Sequence, residues 1–155
     1  IQTFDNKINE KLIVKSRNVT QKRLELCGIK KIEEIIIPHK ENILCNKIKI
    51  CINRNIDIIL IFGPHAITHI KDIIPNAISK SGAKIIRFGI PVEPGNLLLL
   101  SKFKSSSKDI YIIGMPSCAK SPKVNGFDWI LWFILCNFHF TNSNLNELSV
   151  GGLIK

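Results

Sequence analysis

The stretch at residues 57–72, DIILIFGPHAITHIKD, decides the fold. The apolar run from Ile58 to Phe62 reads as a strand covered on both faces, as a central strand of a parallel sheet is. It stops at Gly63-Pro64, and a loop then leads into a helix that starts near Asp72. A second segment of this kind follows at 110–122, IYIIGMPSCAKSP: an apolar strand over 110–114, then a small-residue loop bracketed by Pro116 and Pro122. Between the two lies a Pro-Gly turn, VEPGN, at 92–96. In an open parallel sheet a ligand sits outside the carboxyl ends of the strands, where strand order reverses. The first loop ends at a helix N-terminus, which favours anions through free N–H groups and the macrodipole. The second loop brings Ser117, Lys120 and Ser121. The pattern predicts a pocket for a phosphorylated small molecule.

Working outward, strands alternate with helices. Strands are predicted at 1–4 (or instead 11–14), 34–37, 57–62, 84–88, 97–100 and 110–114. Helices are predicted at 19–27, 40–53, 71–81 and 127–137. Gly28 and Gly82 each follow an apolar-periodic stretch, as helix C-caps do, and Pro38 is expected to stop the second strand. The segment 97–113, interrupted by KFKSSSK at 102–108, reads as an antiparallel hairpin. The expected architecture is an α/β three-layer sandwich with a mostly parallel sheet and that hairpin appended.

The chain has 155 residues, suited to one domain that buries roughly two-thirds of its unfolded surface. Ile1 in place of an initiator Met leads us to expect a processed product or one domain of a longer protein. No apolar run approaches the roughly 20 residues needed to span a bilayer, so no membrane is expected. Net charge is +10, from 22 basic and 12 acidic residues. Yet 18 of the basic residues are Lys, beside 30 Ile and 14 Asn, all with A/T-rich codons, so base composition accounts for much of the excess. Only 4 are Arg, the side chain best shaped for bidentate phosphate or guanine contacts. No basic run is interleaved with aromatics. No nucleic-acid partner is expected, only a general pull on anionic ligands. The 5 cysteines form no C-x-x-C pair and no zinc spacing with the 4 histidines. Free thiols in the cytoplasm are the expectation.

Asp72 has two readings: an acid that complements the helix dipole, or a cleft-facing carboxylate, which makes it the catalytic candidate. Gly63 would admit close backbone approach, though a turn explains it as well. Pro94-Gly95-Asn96 reads as a type II turn with Gly95 supplying the positive φ. Cys118 as a nucleophile would need a neighbouring base or helix dipole, and a passive role is favoured. His65 and His69 stand four apart in a loop with no third ligand, too little for a metal site. The segment 127–140, FDWILWFILCNFHF, is apolar nearly all round, a core helix or a packing face for another domain or subunit.

These residues carry a family resemblance. The order of strand, Gly loop, Asp-led helix, SGAKIIRFGIPVEPGN (81–96), strand and IIGMPSCAKSP (112–122) resembles the molybdopterin-binding domain of MogA/MoaB-type proteins and molybdenum insertases. TFDN at 3–6 and the helix ending in Cys27-Gly28 are similar to the family's first strand, loop and helix. DIIPNAI (72–78), GIPVEPGNLLLL (89–100), GMPSCAKSPKVNGFDW (114–129) and VGGLIK (150–155) resemble a bacterial subgroup that carries a MobA-like nucleotidyltransferase domain as well. The likeness runs from about Thr3 to Leu153. It implies molybdopterin as the ligand, Mg²⁺ and molybdate beside it if a reaction occurs, frequent oligomers, and a nucleotidyltransferase domain or a molybdoenzyme as partner. Lys120, Ser117 and Ser121 would hold the phosphate; Asp72 would meet the pterin edge or a cation; Glu93, Gly95, Asn96, Gly63 and Pro116 would line the cleft. The chain departs from the family at Pro64-His65, at His39 and at Ser117, where glycines, an Asp and a glycine are usual. Adenylyl transfer or molybdate insertion therefore stays open beside a binding or delivery role without catalysis, and beside a nucleotide-binding domain unrelated to molybdenum.

Overall fold

The computed structural model describes residues 1–147; VGGLIK and the end of the resemblance at Leu153 lie outside the described residues. The chain is mixed α/β. In order it forms β1 (Gln2–Phe4), α1 (Glu10–Leu26), β2 (Ile36–Pro38), α2 (Glu41–Asn53), β3 (Ile58–Ile61), α3 (Ile73–Lys80), β4 (Lys84–Phe88), β5 (Leu99–Lys104) and β6 (Asp109–Gly114). A 3₁₀ turn (Ser117–Lys120), α4 (Gly126–Leu135) and α5 (Asn142–Glu147) follow.

The two apolar strands read from the sequence are neighbours: β3 pairs parallel with β6, from Ile58 opposite Tyr111 to Ile61 opposite Gly114. β5 lies antiparallel between β6 and β4, which confirms the hairpin. β1 and β2 pair in parallel, and a bridge between Gln2 and Phe62 joins them to β3. Strand order across the molecule is β2-β1-β3-β6-β5-β4, with β5 alone reversed.

Strand alternation sorts side chains between the two faces. Ile59, Ile61, Ile110, Ile112 and Leu99 join Leu44, Ile48, Ile74 and Ile78 of α2 and α3 in one core cluster. Phe62, Leu98, Leu100 and Ile113 join Leu24 of α1 and Phe127, Ile130 and Leu131 of α4 in the other. Because both faces are covered, β3 and β6 carry no polar alternation. The apolar α4 is a core helix on one side, while Trp132 and Leu135 remain exposed.

Several expectations are corrected. Residues 11–14 belong to α1, which starts at Glu10 and not at 19. The Asn9 side chain accepts from Leu12 N–H at 3.1 Å and sets that start. Ile13, Ser16, Thr20 and Leu24 then form one buried helical stripe. β2 does end at Pro38, which pairs with Phe4, but it starts at Ile36 and not at 34; His39 N–H donates to the Phe4 carbonyl at 2.7 Å. β5 runs on to Lys104, shortening the expected loop, and α5 was not anticipated. All 5 cysteines are free. Among the described residues, no helix is long and apolar enough to cross a membrane.

Thr20 Oγ1 is the buried side-chain atom without a hydrogen-bond partner among the described residues. Burying a hydroxyl unpaired costs about 1–3 kcal/mol. Thr20→Val keeps the shape and removes the hydroxyl, so the urea midpoint should hold or rise at constant m-value. A loss of stability beyond about 1 kcal/mol would show that the hydroxyl is satisfied.

Candidate functional site

The ladders put the carboxyl ends of β1, β2, β3, β4 and β6 at one edge of the sheet. The loops after β3 and β6 therefore stand side by side, as the sequence predicts. Lys120 closes the gap: its ammonium donates to the Gly63 carbonyl at 3.1 Å. Asp72 and Lys120 thus belong to the same edge of the molecule.

Asp72 is the N-cap residue of α3. Its Oδ2 accepts from the N–H groups of Thr68 and His69, each at 2.9 Å. The carboxylate folds the loop onto the helix start, and Oδ1 has no partner among the described residues. Gly63 is required by packing, since a Cβ there would lie 2.8 Å from the His65 carbonyl oxygen. Gly95 has φ +126°, and a Cβ would come within 2.4 Å of the Gly126 nitrogen. It seats the turn against the start of α4, where Gly126 N–H donates to the Pro94 carbonyl at 2.8 Å. The glycine is therefore explained by packing without a ligand. Glu93 and Asn96 are exposed beside it, and Glu93 is close enough to Cys118 to help raise that thiol. Burial is the main cause of that rise, so Cys118 is not an activated nucleophile.

Pro116 is buried, Ser117 exposed, Ser121 and Lys120 half-buried. What holds this loop comes from elsewhere. Arg23 of α1 is 8% exposed and pairs through Nε with Asp128 Oδ1 at 2.8 Å. Its Nη1 donates to the Ala119 carbonyl at 2.6 Å, and its Nη2 to the carbonyls of Ser121 and Lys123 at 2.5 and 2.8 Å. Asp128 Oδ2 meanwhile accepts from Asn125 N–H at 2.8 Å, closing a capping box at the start of α4. The sequence reading passed over both residues. The Asn125-x-x-Asp128 spacing was a usable signal, whereas nothing near Arg23 announced partners about a hundred positions away.

The edge also holds side chains that were not candidates. His65 Nε2 lies 3.0 Å from Asp5 Oδ2, linking the loops after β3 and β1. His39 Nδ1 lies 2.8 Å from Thr3 Oγ1. Burial lowers the His39 pKa first of all; His65 adds to this, and Asp5 and Asp72 oppose it. His69 instead accepts from Lys71 N–H, so the two loop histidines do not act as a pair. Among the described residues no three His, Cys, Asp or Glu side chains converge to hold a metal ion. A groove of about 530 Å³ opens elsewhere, toward the amino ends of β1, β2 and β3, lined by Leu24, Ile29, Ile58, Leu60 and Leu135 among others. It holds none of the candidate residues.

No protein-family model matches the chain, and a search of curated proteins finds no match.

Removing one partner of a buried ion pair costs about 3–5 kcal/mol. Arg23→Met should cost that much in urea unfolding, and adding Asp128→Leu should restore only part of it, because three loop carbonyls still lack a donor. Full recovery in the double variant would show that Arg23 does not hold the loop.

Proposed function

We propose that the carboxyl edge of the sheet binds a phosphorylated pterin, molybdopterin in the reading the sequence resemblance favours, and that the fold is the three-layer arrangement of that family. The single observation that carries the reading is Lys120. Its ammonium is half-buried, its pKa is lowered by desolvation alone, and no carboxylate lies within ion-pair distance of it among the described residues. One of its three N–H donors is spent on Gly63, and the others are free for an anion. A cation left in this state is costly until an anion arrives, and a phosphate at the junction of the two loops relieves the cost. The Ser117 and Ser121 hydroxyls stand on the same loop. The core clusters on both faces and the reversed β5 support the fold reading.

Any catalysis here would rest on positioning and electrostatics around the phosphate. Asp72 would contribute through Oδ1, with Mg²⁺ or molybdate brought in as co-substrates. Delivery without turnover is the second reading. The exposed Trp132, Leu135 and Phe138 favour it, offering an apolar face to a nucleotidyltransferase domain, a molybdoenzyme or another copy. Incubation with molybdopterin, ATP, Mg²⁺ and molybdate separates the two: adenylylated or metal-loaded product selects catalysis, and binding without product selects delivery. A cytoplasmic setting fits the free thiols.

Because the native Lys120 binds its proton less tightly than the unfolded chain does, its burial cost is full at low pH. The cost is relieved as pH rises through the lowered pKa toward the ordinary lysine value. Lys120→Met should therefore keep or raise stability at pH 7 while weakening molybdopterin about 10- to 100-fold, the loss of a charge-assisted hydrogen bond. Calorimetric unfolding and anaerobic titration read the two effects. Unchanged molybdopterin affinity in this variant would refute the site.

A further inference from the structure

Two carbonyls at the end of β3 are bonded from opposite sides. Gly63 accepts from Lys120, which follows β6. Phe62 accepts from Thr3 on β1, through the backbone N–H at 2.9 Å and through Oγ1 at 3.0 Å. A threonine hydroxyl carries one proton. A carbonyl only accepts, so that proton goes to Phe62. The 2.8 Å contact between Thr3 Oγ1 and His39 Nδ1 then requires the imidazole to donate. A neutral imidazole has one N–H, which leaves Nε2 bare. Among the described residues Nε2 has no hydrogen-bond partner, although His39 is half-buried at the same edge as Lys120.

We infer that His39 Nε2 accepts a hydrogen bond from an N–H or O–H group of the ligand whose phosphate Lys120 holds. The inference rests on the phosphate reading above and narrows it. The ligand carries an anion at one end and a polar donor at the other. His39, through Thr3, and Lys120 reach the neighbouring Phe62 and Gly63 carbonyls from opposite sides, close enough for one phosphorylated heterocycle to meet both. A ligand with acceptors alone at that end would meet lone pair against lone pair.

The groups facing His39 are Asp5 after β1, His65 after β3 and Asp72 at the start of α3. The carboxylates favour a charged ring and His65 opposes it, but burial is the largest influence and lowers the pKa, so the ring is neutral near pH 7. Acid converts Nε2 from acceptor to donor, and affinity for the donor-bearing ligand falls as pH drops through the lowered pKa.

The test uses the full chain with two probes, inorganic phosphate and neopterin monophosphate. His39→Asn retains an N–H for Thr3 Oγ1 and deletes the Nε2 acceptor. It should leave the phosphate Kd within about 2-fold and weaken the pterin phosphate about 10-fold, while His39→Gln, whose amide oxygen reaches farther, should recover part of the loss. Histidine ¹⁵N–¹H spectra of the free protein at pH 7 should show Nδ1 protonated and Nε2 bare. A proton on Nε2, or His39→Asn binding the pterin phosphate as tightly as the unsubstituted chain while Lys120→Met binds it weakly, overturns the His39 assignment and spares the phosphate site. If neither probe binds the unsubstituted chain, the phosphate reading falls and His39 with it.

Discussion

The Arg23–Asp128 pair is the constraint on which the rest of the site depends. A guanidinium taken out of water is tolerated only when most of its donors are spent, and here four of the five go to one carboxylate and three loop carbonyls. Asp128 is shared, since its second oxygen caps α4. One buried charge pair thereby ties α1, the loop after β6 and the start of α4 into a unit. The loop has little freedom left, and Lys120 is placed beside β3 without further ordering. Pre-placement of this kind lowers the entropy a ligand must pay on binding.

The contrast between the buried Arg23 and the half-buried Lys120 is informative. Four of the five Arg23 N–H donors are answered by protein atoms, one of them by a carboxylate; Lys120, a few residues along the loop it holds, faces one neutral carbonyl. Natural folds satisfy their buried polar groups, and shortfalls concentrate where a ligand supplies what is missing. His39 shows the same asymmetry, with one ring nitrogen tied into the sheet and the other left open. Both flank the end of β3, whose last carbonyls point to opposite neighbours as extended backbone requires.

Much of the frame was legible because it follows from local rules. An apolar run too short for a buried helix and closed by Gly and Pro marks a central strand, and the two such runs here, ending at Gly63-Pro64 and at Gly114-Met115-Pro116, are adjacent partners. The loops at their carboxyl ends and Lys120 followed from that reading. The error at α1 came from Leu12, Ile13 and Val14, whose strand preference is a weak local signal. It lost to the Asn9 cap and to a buried stripe spaced for a helix. Gly95 and Asp72 were visible as unusual residues, yet what each does depends on a neighbour: the Gly126 backbone for one, the amides of Thr68 and His69 for the other.

Composition, apolar periodicity and turn residues determined on their own that this chain forms an α/β sheet with two small-residue loops at one edge. These signals act over a few residues, within reach of sequence inspection. Only the tertiary structure decided which charges are answered and which are open. Arg23 meets Asp128 across 105 positions, and Thr3 meets His39 across 36. Chain closure over such separations is set by the packing of whole elements, and no local preference encodes it.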